Sequence, residues 1–575
     1  MPGYAFLLAL IVVAPLAAPG YLLLRDAVST PRSYLSDAAL GLGESAPRAV
    51  PQDFAVALAS HVLDGGLVVK ALLLFGLTAA GWGAARLAGT VVPDAGVPGQ
   101  FVAATVAIWN PYVAERLLQG HWSLLVGYGC LPWAAMCVIR LRDGAGTAGF
   151  FALAFWLALA GLTPTGLMMA AVIALVCVAA PGTGRSRWVC ATVTLALAVA
   201  AALPWLTASA LGAALTTYQA AGAPGFEAFA ARAEPGLGTL GSLAGLGGMW
   251  NAEAVPGSRS TPLAVVGTVV LLGVVALGLA HTRHRRAALP LLVLAVAAVL
   301  GPALLATGWG MGLLRPVVEA VPGLGVLRDG QKWVALAIPG YAVAAAGAVP
   351  TLRRWAPSVR PAAIGAALCA VLVLVLPDLA WGAWGKVSSV RYPPGWAAVA
   401  AAVNADPQPV AVLPAGPMRQ FGWAGTAPVL DPLPRWVRAD VLSTGDLTIA
   451  GATVPGEGER ARRIQELLLA GAPPDQLAAA GVGWVVAQIG SRGEMGSAAR
   501  TLAALPVTYR DGEIAVYRVG GQSAGASPAH RRLAVGAHLV WLAVLLGGAA
   551  GAMVFRRQEA GERTARYGLP PSDRT

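Results

Sequence analysis

One polar stretch, Trp109-Asn-Pro-Tyr-Val-Ala-Glu-Arg-Leu-Leu-Gln-Gly-His-Trp122, stands between two strongly apolar runs and carries Asn110, Tyr112, Glu115, Arg116, Gln119 and His121. Polar and ionisable groups at the edge of hydrocarbon are costly unless they pair or line a wet cavity, which makes them functional candidates by default. On a helix, Tyr112, Glu115 and Gln119, spaced three and four apart, share one face. Glu115 and His121 can hold a polar ligand. A lone Glu and His fall short of the carboxylates expected around Mg²⁺ or Mn²⁺, so a divalent metal is a minor possibility and no cofactor is expected. The competing reading is a capped interfacial turn with Trp109 and Trp122 as aromatic anchors, which explains the tryptophans but not the acid and the histidine.

The elements that must position these residues are membrane spans. Of the 575 residues 57% are hydrophobic and 12% charged, the mean hydropathy is +0.66, and runs of 18 or more apolar residues recur. The net charge of +12 does not point to nucleic acid, because Lys and Arg fall in short clusters between apolar runs, where they act as topology signals. The five cysteines all lie inside apolar runs, which argues against a disulfide framework.

Apolar runs at 4–24, 66–88, 99–112, 122–140, 147–163, 164–181, 188–210, 261–280, 287–307, 333–350, 361–381 and 535–555 predict about twelve transmembrane helices. With a cytoplasmic N-terminus, alternate connections carry Arg140 and Arg142, Arg185 and Arg187, the 281–286 cluster, Arg353 and Arg354, and Arg556 and Arg557. This places a multi-pass protein in the cytoplasmic membrane with both termini inside. The outer loops are then 25–64, 110–122, 211–261 and 308–332, with a surface helix at 51–63. The sequence divides into a membrane core at 1–381, an extracytoplasmic α/β domain at 382–534, a last span at 535–555 and a disordered tail at 556–575. In the α/β domain, strands are expected at 409–414 and 482–488, helices at 457–469 and after Pro473 and Pro474, and a hairpin at 507–519 turning on Asp511-Gly512. No phosphate-binding loop, HExxH or CxxC motif is present. Chemistry must therefore come from the outer loops, whose first two carry Asp26, Asp37, Glu44, Asp53, Asp64 and Glu115.

This layout resembles the GT-C superfamily of glycosyltransferases, and within it the actinobacterial cell-envelope enzymes that use polyprenyl-phosphate sugars. The resemblance is carried by the span count, an acidic first outer loop with a surface helix, the Asn110 to His121 stretch, the late loop Leu327-Arg-Asp-Gly-Gln-Lys-Trp333 and an outer domain near the C-terminus. It implies transfer of a sugar, arabinofuranose or mannose, from a polyprenyl-phosphate donor to an envelope glycan or glycolipid acceptor. Such a reaction needs a carboxylate to take the hydroxyl proton and positive charge for the departing phosphate. The first loop lacks the acidic pair of the simplest family pattern, so the expected base is Asp37, with Asp53 as its rival. Arg328 and Lys332, four apart, are the expected phosphate clamp. Asn110, Tyr112, Glu115, Gln119 and His121 are the expected substrate contacts. A lipid-linked glycan flippase is the alternative, as is a non-catalytic scaffold. The near absence of ions within the spans, apart from Lys70, weighs against transport.

Overall fold

Two long helices, Gly65–Val91 and Trp122–Arg142, cross where side chains are missing. A Cβ on Gly129 would meet the Gly76 carbonyl oxygen at 2.1 Å, and the Trp133 indole donates to the Ala79 carbonyl at 2.8 Å. Close backbone approach of this kind holds helices together where lipid offers no hydrophobic driving force. The computed structural model describes residues 1–43, 49–212, 227–320, 324–449, 452–456 and 458–567. Glu44, counted among the loop acids, lies outside them.

Six described helices are long and apolar enough to cross a bilayer: Gly65–Val91, Trp122–Arg142, Arg187–Leu211, Leu263–Thr282, Gly330–Trp355 and Pro528–Glu559. Two bent pairs raise the number to eight: Leu289–Leu305 with Gly308–Val318, at 92°, and Pro361–Leu374 with Pro377–Trp384, at 74°. Helix also forms over Pro2–Ala17, Gly96–Ile108, Thr147–Ala160 and Pro164–Cys177. Each of these is shorter than the ~20 residues that span hydrocarbon, so the expected twelve spans are not reached by length and composition. The first run, expected to continue to residue 24, stops at Ala17, and Tyr21–Leu24 is a strand. Pro19 and Gly20 separate the two.

The connections sort to two ends. At one end, Asp94 pairs with His281 at 2.5 Å and Arg285 at 2.8 Å, and Arg354 reaches His281. Arg142 donates to the Ala180 carbonyl, Glu559 accepts from the Ala148 amide, and Arg140 lies close to Arg86 and Arg556. The basic clusters thus share a face. The last helix continues to Tyr567, so helix replaces the disordered tail expected from Arg556 as far as that residue; 568–575 lie outside the described residues.

At the other end, Tyr21–Leu24 turns back on Ala27–Val28 and also pairs antiparallel with Ser389–Val390. A four-stranded sheet follows, in the order Val507–Arg510, Ala515–Arg518, Trp484–Ala487, Val410–Leu413. Its last pair is parallel and is bridged in sequence by the helices Glu459–Ala470 and Pro474–Ala479. The 507–518 hairpin closes through four residues rather than two. Arg510 pairs with Ala515, and the Asp511 side chain accepts the Glu513 and Ile514 amides.

Candidate active site

The short helix Pro111–Leu118 is built by its own sequence. Asn110 caps it, accepting from the Val113 amide at 3.0 Å and donating to the Val106 carbonyl at 2.8 Å, and Pro111 occupies the first turn, where no amide is missed. Asn110 is therefore buried as a cap. Tyr112 is buried as well, its hydroxyl donating to the Lys332 carbonyl at 3.1 Å.

Beyond the helix the chain turns at Gly120, with φ +84°, against the tip of the 21–28 hairpin. Arg25 and Asp26 form that tip. Arg25 takes a left-handed φ of 47° and donates to the Leu118 and Glu253 carbonyls at 2.7 and 2.8 Å, so it satisfies one of the open carbonyls at the helix end. The Asp26 amide donates to the Gln119 carbonyl at 3.1 Å. Its carboxylate Oδ2 accepts from Gln119 Nε2 at 3.0 Å and faces His121 Nε2 at 2.9 Å, and Gln119 Oε1 in turn accepts from Asn251 at 2.8 Å.

Behind His121 lies Arg116, fully buried. It grips Asp329 with two bonds of 2.8 and 2.9 Å, donates to Gln331 and reaches His121 Nδ1 at 3.2 Å. Lys332 stands 3.7 Å from the same Asp329 carboxylate. Burial alone would raise Asp26, but the bond and charge of His121, the Gln119 amide and the charge of Lys332 bring it below the ordinary carboxylate value. Burial is the main cause that lowers His121; the bond and charge of Asp26 oppose it, and the charges of Arg116 and Lys332 add to the lowering. The two groups meet in one short contact, and the Asp26 side chain is still 43% exposed.

Glu115 faces the other way. One carboxyl oxygen takes the Met249 amide at 3.2 Å and the Gln331 amide at 3.0 Å, and the other is buried without a partner. Burial, then the nearby Glu234, push it up to about 8. Glu234 itself is clamped by buried Arg259.

Of the residues expected at the site, Gln119, His121 and Lys332 converge with one another around Asp26, and Glu115 joins through Gln331. Asp37 instead accepts two bonds from Arg531, at 2.6 and 2.7 Å, and one from the Ala526 amide. Asp53 pairs with Arg435 at 3.1 Å. None of these bonds reaches the Asp26 cluster. Arg328 and Lys332 do not ride one continuous helix, because the chain breaks between the 3₁₀ turns Leu324–Leu327 and Gly330–Ala337. Arg328 lies over the Phe229 ring at 5.7 Å. Sequence reasoning passed over Asp26, Arg116, Asp329 and Gln331 as site members. Their signal was proximity to the apolar boundary, which Asp26 shares with the other loop acids. Among the described residues no three His, Cys, Asp or Glu side chains gather as a metal site.

No family model matches this chain, and no curated protein does. A solved structure does: the cryo-EM structure of arabinofuranosyltransferase AftD from mycobacteria superposes with a TM-score of 0.51 at 15% identity, over 91% of this chain. The chain spans 41% of the length of that structure. With its apolar helices and its polar cluster at one end, the chain shares the fold of that solved membrane protein structure.

Proposed function

We propose that the protein transfers a sugar, arabinofuranose or mannose, from a polyprenyl-phosphate donor to a hydroxyl of an envelope glycan or glycolipid. The observation that carries this is Asp26, an ionised and partly exposed carboxylate held by His121 and Gln119 beside Lys332. In the proposed step the acceptor oxygen bonds to the anomeric carbon while the bond from that carbon to the phosphate oxygen breaks. The hydroxyl proton goes to Asp26, and the bonding pair leaves with polyprenyl phosphate, whose charge Lys332 stabilises. Asp37 and Asp53, tied to Arg531 and Arg435, act in this reading as anchors for the first loop rather than as bases.

The first helix runs away from the site end toward its start, and the last runs from Arg531 beside Asp37 to Glu559 beside Ala148. In this reading the first helix starts, and the described part of the last helix ends, at the end that carries the basic clusters. By the positive-inside rule that end is cytoplasmic, and the site opens on the outer face, where nucleotide sugars are absent and a lipid-linked donor is required.

The test is purified protein offered polyprenyl-phosphate arabinose, mannose, glucose and galactose with an oligosaccharide acceptor. Transfer from one of these donors is expected, falling by about 10²–10⁴-fold in Asp26→Asn and persisting in Asp37→Asn. Undiminished transfer by Asp26→Asn would overturn the reading.

A further inference from the structure

A chain of contacts runs inward from the proposed base: Asp26 to His121 at 2.9 Å, His121 to Arg116 at 3.2 Å, and Arg116 to Asp329 by two bonds. Each link comes from a different place in the sequence: the hairpin tip, the turn after the short helix, the helix itself and the loop before Gly330–Ala337. A guanidinium carries only donors, so the nitrogen it meets on His121 must accept. The one remaining ring proton then sits on Nε2 and points at Asp26.

We propose that Arg116, held by Asp329, is a positioning residue that fixes His121 as the neutral Nε2–H tautomer and so orients Asp26 for proton transfer. This rests on Asp26 being the base. An imidazolium would aim a second proton, on Nδ1, at the Arg116 guanidinium, donor against donor and charge against charge. The groups facing His121 and its partner are Asp26, Gln119, Arg116, Lys332 and Asp329, with Arg25 and Glu253 beyond Asp26. The three carboxylates in that set, Asp26, Asp329 and the more distant Glu253, would favour imidazolium, and Arg116 is the group whose geometry opposes it. Both donors to Asp26, from His121 and Gln119, fall on Oδ2, which assigns the acceptor's proton to Oδ1.

The experiment is ¹⁵N NMR of the full-length protein labelled at histidine, in detergent micelles, with the His121 resonances assigned by their loss in His121→Gln. The expected spectrum is a neutral ring with the proton on Nε2 throughout about pH 5 to 8. In Arg116→Gln the ring is expected to sample both tautomers and to titrate at a higher pH than in the unaltered protein. If Asp329, left with Lys332 as its cationic partner, keeps that variant from folding, Arg116→Gln/Asp329→Asn is used, with the same expectation. A proton on Nδ1, an imidazolium at neutral pH in the unaltered protein, or an Arg116→Gln titration identical to it would each overturn the proposal. Activity separates this from the functional reading. With polyprenyl-phosphate arabinose as probe, Asp26→Asn with full transfer removes the base while leaving the His121 spectra as they are. If both readings hold, the acidic limb of kcat/KM in Arg116→Gln moves up by about one pH unit or more, and adding His121→Gln cancels that shift.

Discussion

Gly120 lies so close to the hairpin tip that a Cβ on it would meet the Leu24 carbonyl oxygen at 2.3 Å and the Ala27 amide nitrogen at 2.4 Å. This contact lets the Asp26 amide reach the Gln119 carbonyl and sets the carboxylate beside His121. Its φ of +84° is also one that L side chains rarely adopt. Gly120→Ala should push the hairpin off the short helix and cut kcat by about 10²-fold, the cost of displacing a reacting group by about an ångström. The protein should still insert and migrate as a monodisperse species in size-exclusion chromatography. Undiminished kcat in this variant would show that the contact does not position the site.

Asp329 is the fixed point of the buried charge cluster. Arg116, Lys332 and the bond from Arg116 offset its burial and hold its carboxyl far below the ordinary range. Asp329→Ala leaves Arg116 buried and uncompensated, at a cost of about 3–5 kcal/mol. Arg531→Ala breaks a pair whose arginine side chain is 49% exposed and should cost about 1 kcal/mol or less. Thermal unfolding of the two variants in the same detergent checks the order.

Glu115 gives stability a pH dependence whose sign is fixed. Burial and then Glu234 raise it from 4.5 to about 8, so between those values the native state keeps a proton that the unfolded chain has released. Stability therefore falls as pH rises through this window and levels off above it. Glu115→Gln keeps an oxygen for the Met249 and Gln331 amides and removes the proton. Its Tm should drop less than that of the unaltered protein between pH 5 and pH 8, and parallel Tm curves would refute the assignment.

Lys332 is asked to stabilise a leaving phosphate. Lys332→Gln should lower kcat/KM for a polyprenyl-phosphate donor by about 10²-fold. Raised salt should depress the unaltered enzyme more than the variant. Steady-state kinetics at two ionic strengths decides this.

Much of the architecture could be read from local pattern. The strand at Val410–Leu413 lies within a short apolar run between prolines, and Trp484–Ala487 lies in an apolar run bounded by Gly483. The basic clusters were visible as charges between hydrocarbon segments, and they do share one end of the bundle. The Asn110 to His121 stretch was legible as a polar cluster, because burying so many polar groups at an apolar boundary requires partners. Which loop acid sits beside His121 was not legible. Asp26, Asp37 and Asp53 differ only in partners supplied from far along the chain: His121 for the first, Arg531 and Arg435 for the others. The Arg25–Asp26 turn carries no glycine or asparagine to announce it. The i,i+4 argument for Arg328 and Lys332 assumed an α-helix where the chain makes two 3₁₀ turns, whose period is nearer three.

The strand pairing of Tyr21–Leu22 with Ser389–Val390, and the bonds from the Arg25 amide to the Pro428 carbonyl and from the Leu430 amide to the Arg25 carbonyl, bear on the order in which the protein is made. The segments that brace the hairpin carrying Asp26 are translated some 360 to 400 residues after it. Most of the helices can be in the bilayer before the hairpin is secured. A chain halted before Ser389 would be an inserted membrane protein whose Asp26 hairpin is still unbraced, so the candidate site is completed late in translation.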